Sequence, residues 1–209
     1  MCCRYYMELS PELRPIIEEA ERSPLRERMV NTLGRPLITS GEASPTDILP
    51  VIATAKNGGR SVFPMVWGFH VKGLDRPLIN ARVETAAAKP SFRESWARRR
   101  CIVPASWYFE WEHFTRTDGK VITGDRYAIQ PAGSGLCFLA GLYRIEEERG
   151  LSYPVFTILT REPGEELRSL HDRMPLILPS DKISTWIDPE TKPEDLLPSA
   201  VTDVMFEKG

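Results

Sequence analysis

The sequence predicts an α+β fold: a single domain over residues 2–209, with a curved, mainly antiparallel β-sheet or barrel at its core and short flanking helices. Three observations carry that prediction. Short β-rich runs punctuated by glycine, proline and asparagine fill most of the chain beyond Gly34. Two proline-opened helical patterns precede them. The 209 residues, 42% hydrophobic and 27% charged, are enough to build one substantial core.

In chain order, Ser10-Pro11 and Ser23-Pro24 each read as an N-cap followed by proline at the first helical position, which predicts helices over 11–21 and 24–32. Leu13, Ile16, Ile17 and Ala20 recur at helical spacing and are assigned to the core. Strands are predicted at 48–54, 61–67, 78–85, 101–103, 107–112, 126–130, 136–142 and 153–159. Further short helices are expected over 91–100, 164–170 and 180–187. A polar connection over 188–197 leads to a last strand at 200–206. No repeat or low-complexity linker interrupts this order.

The net charge of −2 carries no global signal for nucleic acid, so phosphate contact would need local clustering. The segment 89–100 supplies one, with Lys89, Arg93, Arg98, Arg99 and Arg100 against a single acid, Glu94. Arginines also close helices well, because cations favour a helix C-terminus. No apolar run is long enough for a membrane-spanning helix, and no signal-peptide pattern opens the chain. A soluble, cytoplasmic monomer is expected. Cys2, Cys3, Cys101 and Cys137 show no C-x-x-C spacing and do not cluster with His70, His113 and His171. Neither a metal nor another cofactor is expected, and the thiols should stay reduced.

Four stretches carry chemistry. If Met1 is removed, Cys2 offers a free thiol and a free α-amine on one residue, a 1,2-aminothiol that can close a thiazolidine ring on an aldehyde. Asn80-Ala81-Arg82-Val83-Glu84-Thr85, read as a strand, puts Asn80, Arg82 and Glu84 on one face. In Trp107-Tyr108-Phe109-Glu110-Trp111 the same alternation sets Tyr108 and Glu110 apart from the other three rings. Burial there would raise the carboxyl pKa toward neutrality and suit Glu110 to proton transfer. His171-Asp172-Arg173 sits at a turn, where a side chain can be aimed into a cleft. Trp67 and Phe69, either side of Gly68, are candidates for stacking on unpaired bases, although aromatics at a strand end are often simply core.

Together, Met-Cys at the start, Asn-Ala-Arg-x-Glu-Thr near 80, the aromatic-Glu-Trp element near 110 and His-Asp-Arg-Met-Pro near 171 resemble the SOS response-associated peptidase (SRAP) family, whose members shield abasic sites by cross-linking to them. The resemblance spans nearly the whole chain and implies an SRAP-like fold. It further implies that Cys2 forms a thiazolidine with the aldehyde of an abasic site and that Asn80 positions the terminal residue and the sugar. Glu110 would move protons, and His171 would assist ring opening and reversal. Arg4 and Arg82 would contact phosphates, with Trp67, Phe69 and Arg98 as further DNA contacts. The implied partner is single-stranded DNA or a DNA junction containing an abasic site, bound at the nucleoid. Autocatalytic removal of Met1 and a lyase-type activity belong to the same expectation. The chain departs from the family at Cys3, where glycine is usual, and in the turn over 40–46. Two other readings stand beside it: an N-terminal-nucleophile cysteine amidase that uses the same residues on small amides, and a non-enzymatic single-strand DNA-binding module in which Cys2 is idle.

Overall fold

A computed structural model describes residues 2–115 and 118–209. The chain begins with β1 (Arg4–Met7), α1 (Arg14–Glu21), α2 (Pro24–Leu33), β2 (Gly41–Ala43), β3 (Ile48–Thr54) and β4 (Arg60–Trp67). It continues through β5 (Asn80–Arg82), α3 (Val83–Ala86), α4 (Arg93–Arg98), β6 (Arg100–Ala105), β7 (Trp107–Thr115) and β8 (Val121–Pro131). The last part holds β9 (Cys137–Glu148), β10 (Leu151–Arg161), β11 (Met174–Pro175), α5 (Ile183–Ile187) and β12 (Val204–Lys208). Short 3-10 turns occupy Glu165–Leu167, Ser180–Lys182 and Pro193–Ser199.

Strands β10, β4, β3, β6 and β9 pair in that order, and β9 pairs back onto β10, closing a five-stranded barrel. It is mixed because β10 runs parallel to β4 while the other pairs are antiparallel. Closure explains the unbroken apolar runs: every residue of Ile48–Ala53 and of Arg100–Ala105 is buried, as expected where side chains meet the interior on one face and packed elements on the other. The helix α1 lays Ile16, Ile17 and Ala20 into this core, as their spacing predicts. A second sheet, wholly antiparallel, runs β12-β8-β7-β1-β2.

Two local features position the functional residues. After Trp67 the chain leaves the barrel at Gly68, whose φ of +123° and the 2.7 Å approach of Pro77 to any Cβ there admit only glycine. The chain then returns as β5, which takes the place of β4 beside β10, pairing Asn80, Ala81 and Arg82 with Ile158, Leu159 and Thr160. This strand is much shorter than the predicted 78–85. Its partner β10 ends at Arg161, so Val83 turns into α3, and Glu84 leaves the strand face expected to carry it beside Asn80 and Arg82.

The basic segment also differs from expectation. Arg100 is buried, and its guanidinium donates to the carbonyls of Trp96 (2.9 Å), Ala97 (2.8 Å), Trp186 (2.7 Å), Thr191 (2.8 Å) and Asp188. It closes the carbonyl ends of α4 and α5 rather than facing solvent. Arg99 pairs with Glu94 at 3.1 Å. Lys89, Arg93 and Arg98 remain exposed. No described helix is long and apolar enough to cross a membrane.

Candidate functional site

The pairing of β1 with β7, Arg4 opposite Phe109 and Tyr5 opposite Tyr108, carries the start of the chain to the middle of β7. There the predicted alternation holds: Tyr108 and Glu110 point into the protein, with Glu110 only 2% exposed. Asn80 approaches from the barrel side at the start of β5, and its Nδ2 donates to the Cys2 carbonyl at 2.8 Å. The fourth residue, His171, comes from the turn before β11, with Nε2 3.7 Å from Glu110 Oε2. Cys2, Asn80, Glu110 and His171 therefore converge where the two sheets meet.

Burial dominates the electrostatics. It raises the Glu110 carboxyl from its ordinary 4.5 to about 7, so the acid and its conjugate base coexist near neutral pH. It lowers His171 to about 4, keeping the imidazole neutral. The Arg173 backbone N–H donates to His171 Nδ1 at 3.0 Å. An Nδ1 that accepts leaves the ring hydrogen on Nε2, the nitrogen facing Glu110. Asp172 Oδ1 also lies 2.9 Å from Nδ1, a contact favourable only when Nδ1 carries a hydrogen; the Asp172 side chain is largely exposed and can turn away. The Cys2 side chain is fully buried, with Sγ donating to the Arg4 carbonyl at 3.7 Å. Burial, then the nearby Glu110, pushes its thiol well above the usual range. The sulfur must therefore lose its proton to a neighbouring base as it reacts.

Arg173 and Glu84, separated by 89 positions, hold the histidine turn in place. Two parallel hydrogen bonds of 2.9 Å join them, and Arg173 also donates to the Thr160 carbonyl at 2.7 Å. Burial is the largest single effect on Glu84 and opposes its ionisation, yet the hydrogen bonds from Arg173 and the backbone and the charges of Arg173 and Arg82 together hold the carboxyl below its ordinary value. Glu84 thus braces Arg173 and not, as the motif alone suggests, Arg82.

An open cleft of about 530 Å³ reaches the site, lined by Cys3, Arg4, Glu42, Glu110, Trp111, His113 and Thr123. A register shift between Trp111 and His113 re-aims the end of β7, and the His113 ring reaches 4.9 Å from that of His171. Arg4 is on the cleft wall, its Nε 3.2 Å from Glu42 Oε1. Arg82 is exposed on β5 two residues beyond Asn80, and Arg98 is exposed on α4; neither is among the residues that line the cleft. Trp67 and Phe69 are buried with 0% exposure. Trp67 donates to the Ile79 carbonyl and stacks on Phe156, and Phe69 packs on Phe92, so neither presents a ring face to a base. The expectation that they stack on DNA is corrected accordingly. Sequence reasoning passed over Glu42, His113 and Thr123 as site residues; nothing local distinguishes them, and only strand pairing brings them to the cleft. Among the described residues no group of three or more His, Cys, Asp or Glu is placed to hold a metal ion.

The arrangement defines a class: α+β proteins in which a cysteine near the start of the chain is set against an amide, a buried acid and a neutral imidazole. A family model described as SOS response associated peptidase (SRAP) matches residues 1–206. The chain belongs to that family. Among relatives, the abasic site processing protein YoaM of Bacillus subtilis is 39% identical over 124 residues, 58% of this chain and 52% of that protein. The abasic site processing protein YedK of Escherichia coli is 34% identical over 131 residues, 61% of this chain and 55% of its own. The chain thus spans about half the length of the curated relatives it matches. A crystal structure of a protein from Bacteroides thetaiotaomicron superposes with a TM-score of 0.74 at 20% identity, covering 99% of this chain and 91% of that one. A phage-related protein from Bordetella bronchiseptica gives 0.70 at 20% identity over 100% and 94%. At that identity the likeness speaks for the fold.

Proposed function

We propose that this protein processes abasic sites in single-stranded DNA by covalent capture through Cys2. The observation that carries the reading is the convergence of Cys2 with Asn80, Glu110 (pKa raised to about 7) and neutral His171 behind a cleft whose wall includes Glu110 and Arg4. The family membership and the names of the relatives agree with it.

The reading requires Cys2 to be the first residue of the mature protein. Attack of the Cys2 thiol on the Met1 carbonyl, with Glu110 accepting the sulfur proton and returning it to the departing α-amine, gives a thioester that water hydrolyses, an autopeptidase step. The free amine then adds to the sugar aldehyde. Protonated Glu110 donates to the hydroxyl of the carbinolamine, which leaves as water, and a protonated imine remains. The Cys2 thiol adds to the imine carbon, its proton passing to the Glu110 carboxylate and the imine nitrogen becoming the ring amine. Aldehyde and aminothiol have become thiazolidine and one water. Asn80 fixes the Cys2 carbonyl, and its Oδ1, buried with no hydrogen-bond partner among the described residues, is left to accept from the amine. His171 Nε2–H is the donor for the sugar ring oxygen as it opens. Arg82 and Arg4 contact the flanking phosphates, Arg4 after leaving Glu42. Without the thiol, the imine would favour β-elimination of the strand, the lyase-type outcome.

The test is incubation with a single-stranded oligonucleotide bearing one abasic site, followed by heat, detergent and electrophoresis. Wild type should give a covalent band and Cys2→Ala none without borohydride trapping. A stable band from Cys2→Ala sinks the mechanism, and turnover of small amides without DNA adduct would favour the amidase reading.

A further inference from the structure

The chemistry above uses the inward face of β7. The outward face of the same sheet carries a groove of about 660 Å³ that the mechanism leaves unused, and Glu42 lines both this groove and the reactive cleft. On its floor Tyr6 lies opposite Trp107 in the β1–β7 register, the two rings stacked with centroids 4.6 Å apart and planes within 2°. Both are half-buried, so ring surface stays open to the groove. In the next row the Arg126 guanidinium covers the Phe109 ring at 4.3 Å. Glu42 stands between the two cations, 3.2 Å from Arg4 Nε and 3.0 Å from an Arg126 nitrogen.

We propose that this groove is a second subsite for the captured strand, in which an unpaired nucleotide flanking the abasic position stacks on the Tyr6–Trp107 pair while its phosphate takes Arg126 from Glu42. The inference rests on the reading of the cleft as an abasic-site pocket and extends it to a place where neighbouring nucleotides bind. Continuity argues for the strand as occupant. Arg4 and Glu42 form one wall of the cleft, Glu42 also lines the groove, and the aromatic floor begins there, so a strand that leaves on that side runs directly onto it. The chemistry is complementary as well. Stacked rings accept any base face, and a guanidinium laid over an aromatic ring with 36% of its side chain still exposed is within reach of a phosphate. Glu42, partly exposed, neutralises both arginines while the groove is empty and is free to turn to solvent when phosphate replaces it. Such a subsite predicts a preference for strands with unpaired flanks and no preference among bases.

The test uses full-length protein and abasic oligonucleotides whose flanks are shortened one nucleotide at a time on either side. Wild-type adduct formation at limiting protein should rise on the order of tenfold as one flank grows long enough to enter the groove, the size expected for one stacked base with a phosphate contact. That gain should collapse in Trp107→Ala and in the surface change Arg126→Gln, and Trp107→Phe should retain most of it. A parallel series with an unreactive abasic analogue, read by fluorescence anisotropy, measures the flank effect without the covalent step. Arg126→Gln should also flatten the salt dependence of the longer strands. Analogue binding with the flank effect but no adduct would overturn the cross-linking reading and leave the subsite standing. A flank gain that survives both Trp107→Ala and Arg126→Gln, or wild-type binding indifferent to flank length, would overturn the subsite.

Discussion

Replacing Glu110 with glutamine removes a titration and little else, because the side chains are nearly isosteric and the site is buried. The wild-type carboxyl ionises near 4.5 in the unfolded chain but only at about 7 in the folded protein. Below pH 4.5 both states hold the proton and the group does not affect the balance. As pH rises from 4.5 to about 7 the folded state retains a proton that the unfolded state has lost, so stability falls across that window and levels off above it. A shift from 4.5 to about 7, at ~1.4 kcal/mol per unit, amounts to roughly 3 kcal/mol. The glutamine variant, whatever its stability at pH 4, should therefore gain roughly 3 kcal/mol on wild type by pH 8. Urea denaturation of both proteins at matched pH values reads the difference directly, and titrations common to both cancel. A difference that stays flat from pH 4 to pH 8 would refute a raised pKa at Glu110 and, with it, the assignment of this group as the proton carrier. The same variant should slow adduct formation while leaving DNA affinity in place.

Glu84→Gln should loosen the histidine turn, since it leaves the buried Arg173 guanidinium without its carboxylate; a loss of about 2–4 kcal/mol is expected by chemical denaturation, and a loss below 0.5 kcal/mol would mean that Arg173 finds another acceptor. Arg82→Ala, on the strand that carries Asn80, should weaken single-strand binding and flatten its salt dependence, whereas Arg98→Ala, on α4, should do so less; equal slopes for both would move the phosphate track toward α4. Cys3→Gly changes a side chain on the cleft wall: faster capture would show that Cys3 crowds the aldehyde, and an unchanged rate would show that the cleft accommodates it.

The barrel was legible because its strands are buried on both faces. Residues 48–54 form an apolar run bounded by turns, and the observed strand has those bounds. The strand Arg4–Met7 was not, since Arg-Tyr-Tyr-Met declares itself only when β7 lies beside it. The four central residues could be named from motifs and strand alternation, and alternation alone sets Glu110 on the face of β7 away from Trp107, Phe109 and Trp111. What could not be read were the contacts between distant segments. Glu84 looked like part of a strand face, yet β10 ends and the chain turns, giving it Arg173 as partner. Arg100 looked like one more surface cation, but the carbonyl ends of two helices meet around it. Trp67 and Phe69 are spaced like a base-stacking pair, but packing of Trp67 on Phe156 and of Phe69 on Phe92 buries both. Composition and periodicity report which way a side chain leaves its own strand, and which neighbours await it depends on pairings many residues away.

The central claim is that one residue, Cys2, supplies both the amine and the sulfur of a covalent bond to DNA. Intact mass of the species formed with an abasic oligonucleotide, followed by mapping of its amino-terminal peptide, tests it most directly. The account predicts a protein that lacks Met1, a complex whose mass is the sum of protein and oligonucleotide less one water, and the adduct on the peptide beginning with Cys2. A cross-linked protein that retains Met1, or an adduct mapped to any other residue, would contradict it.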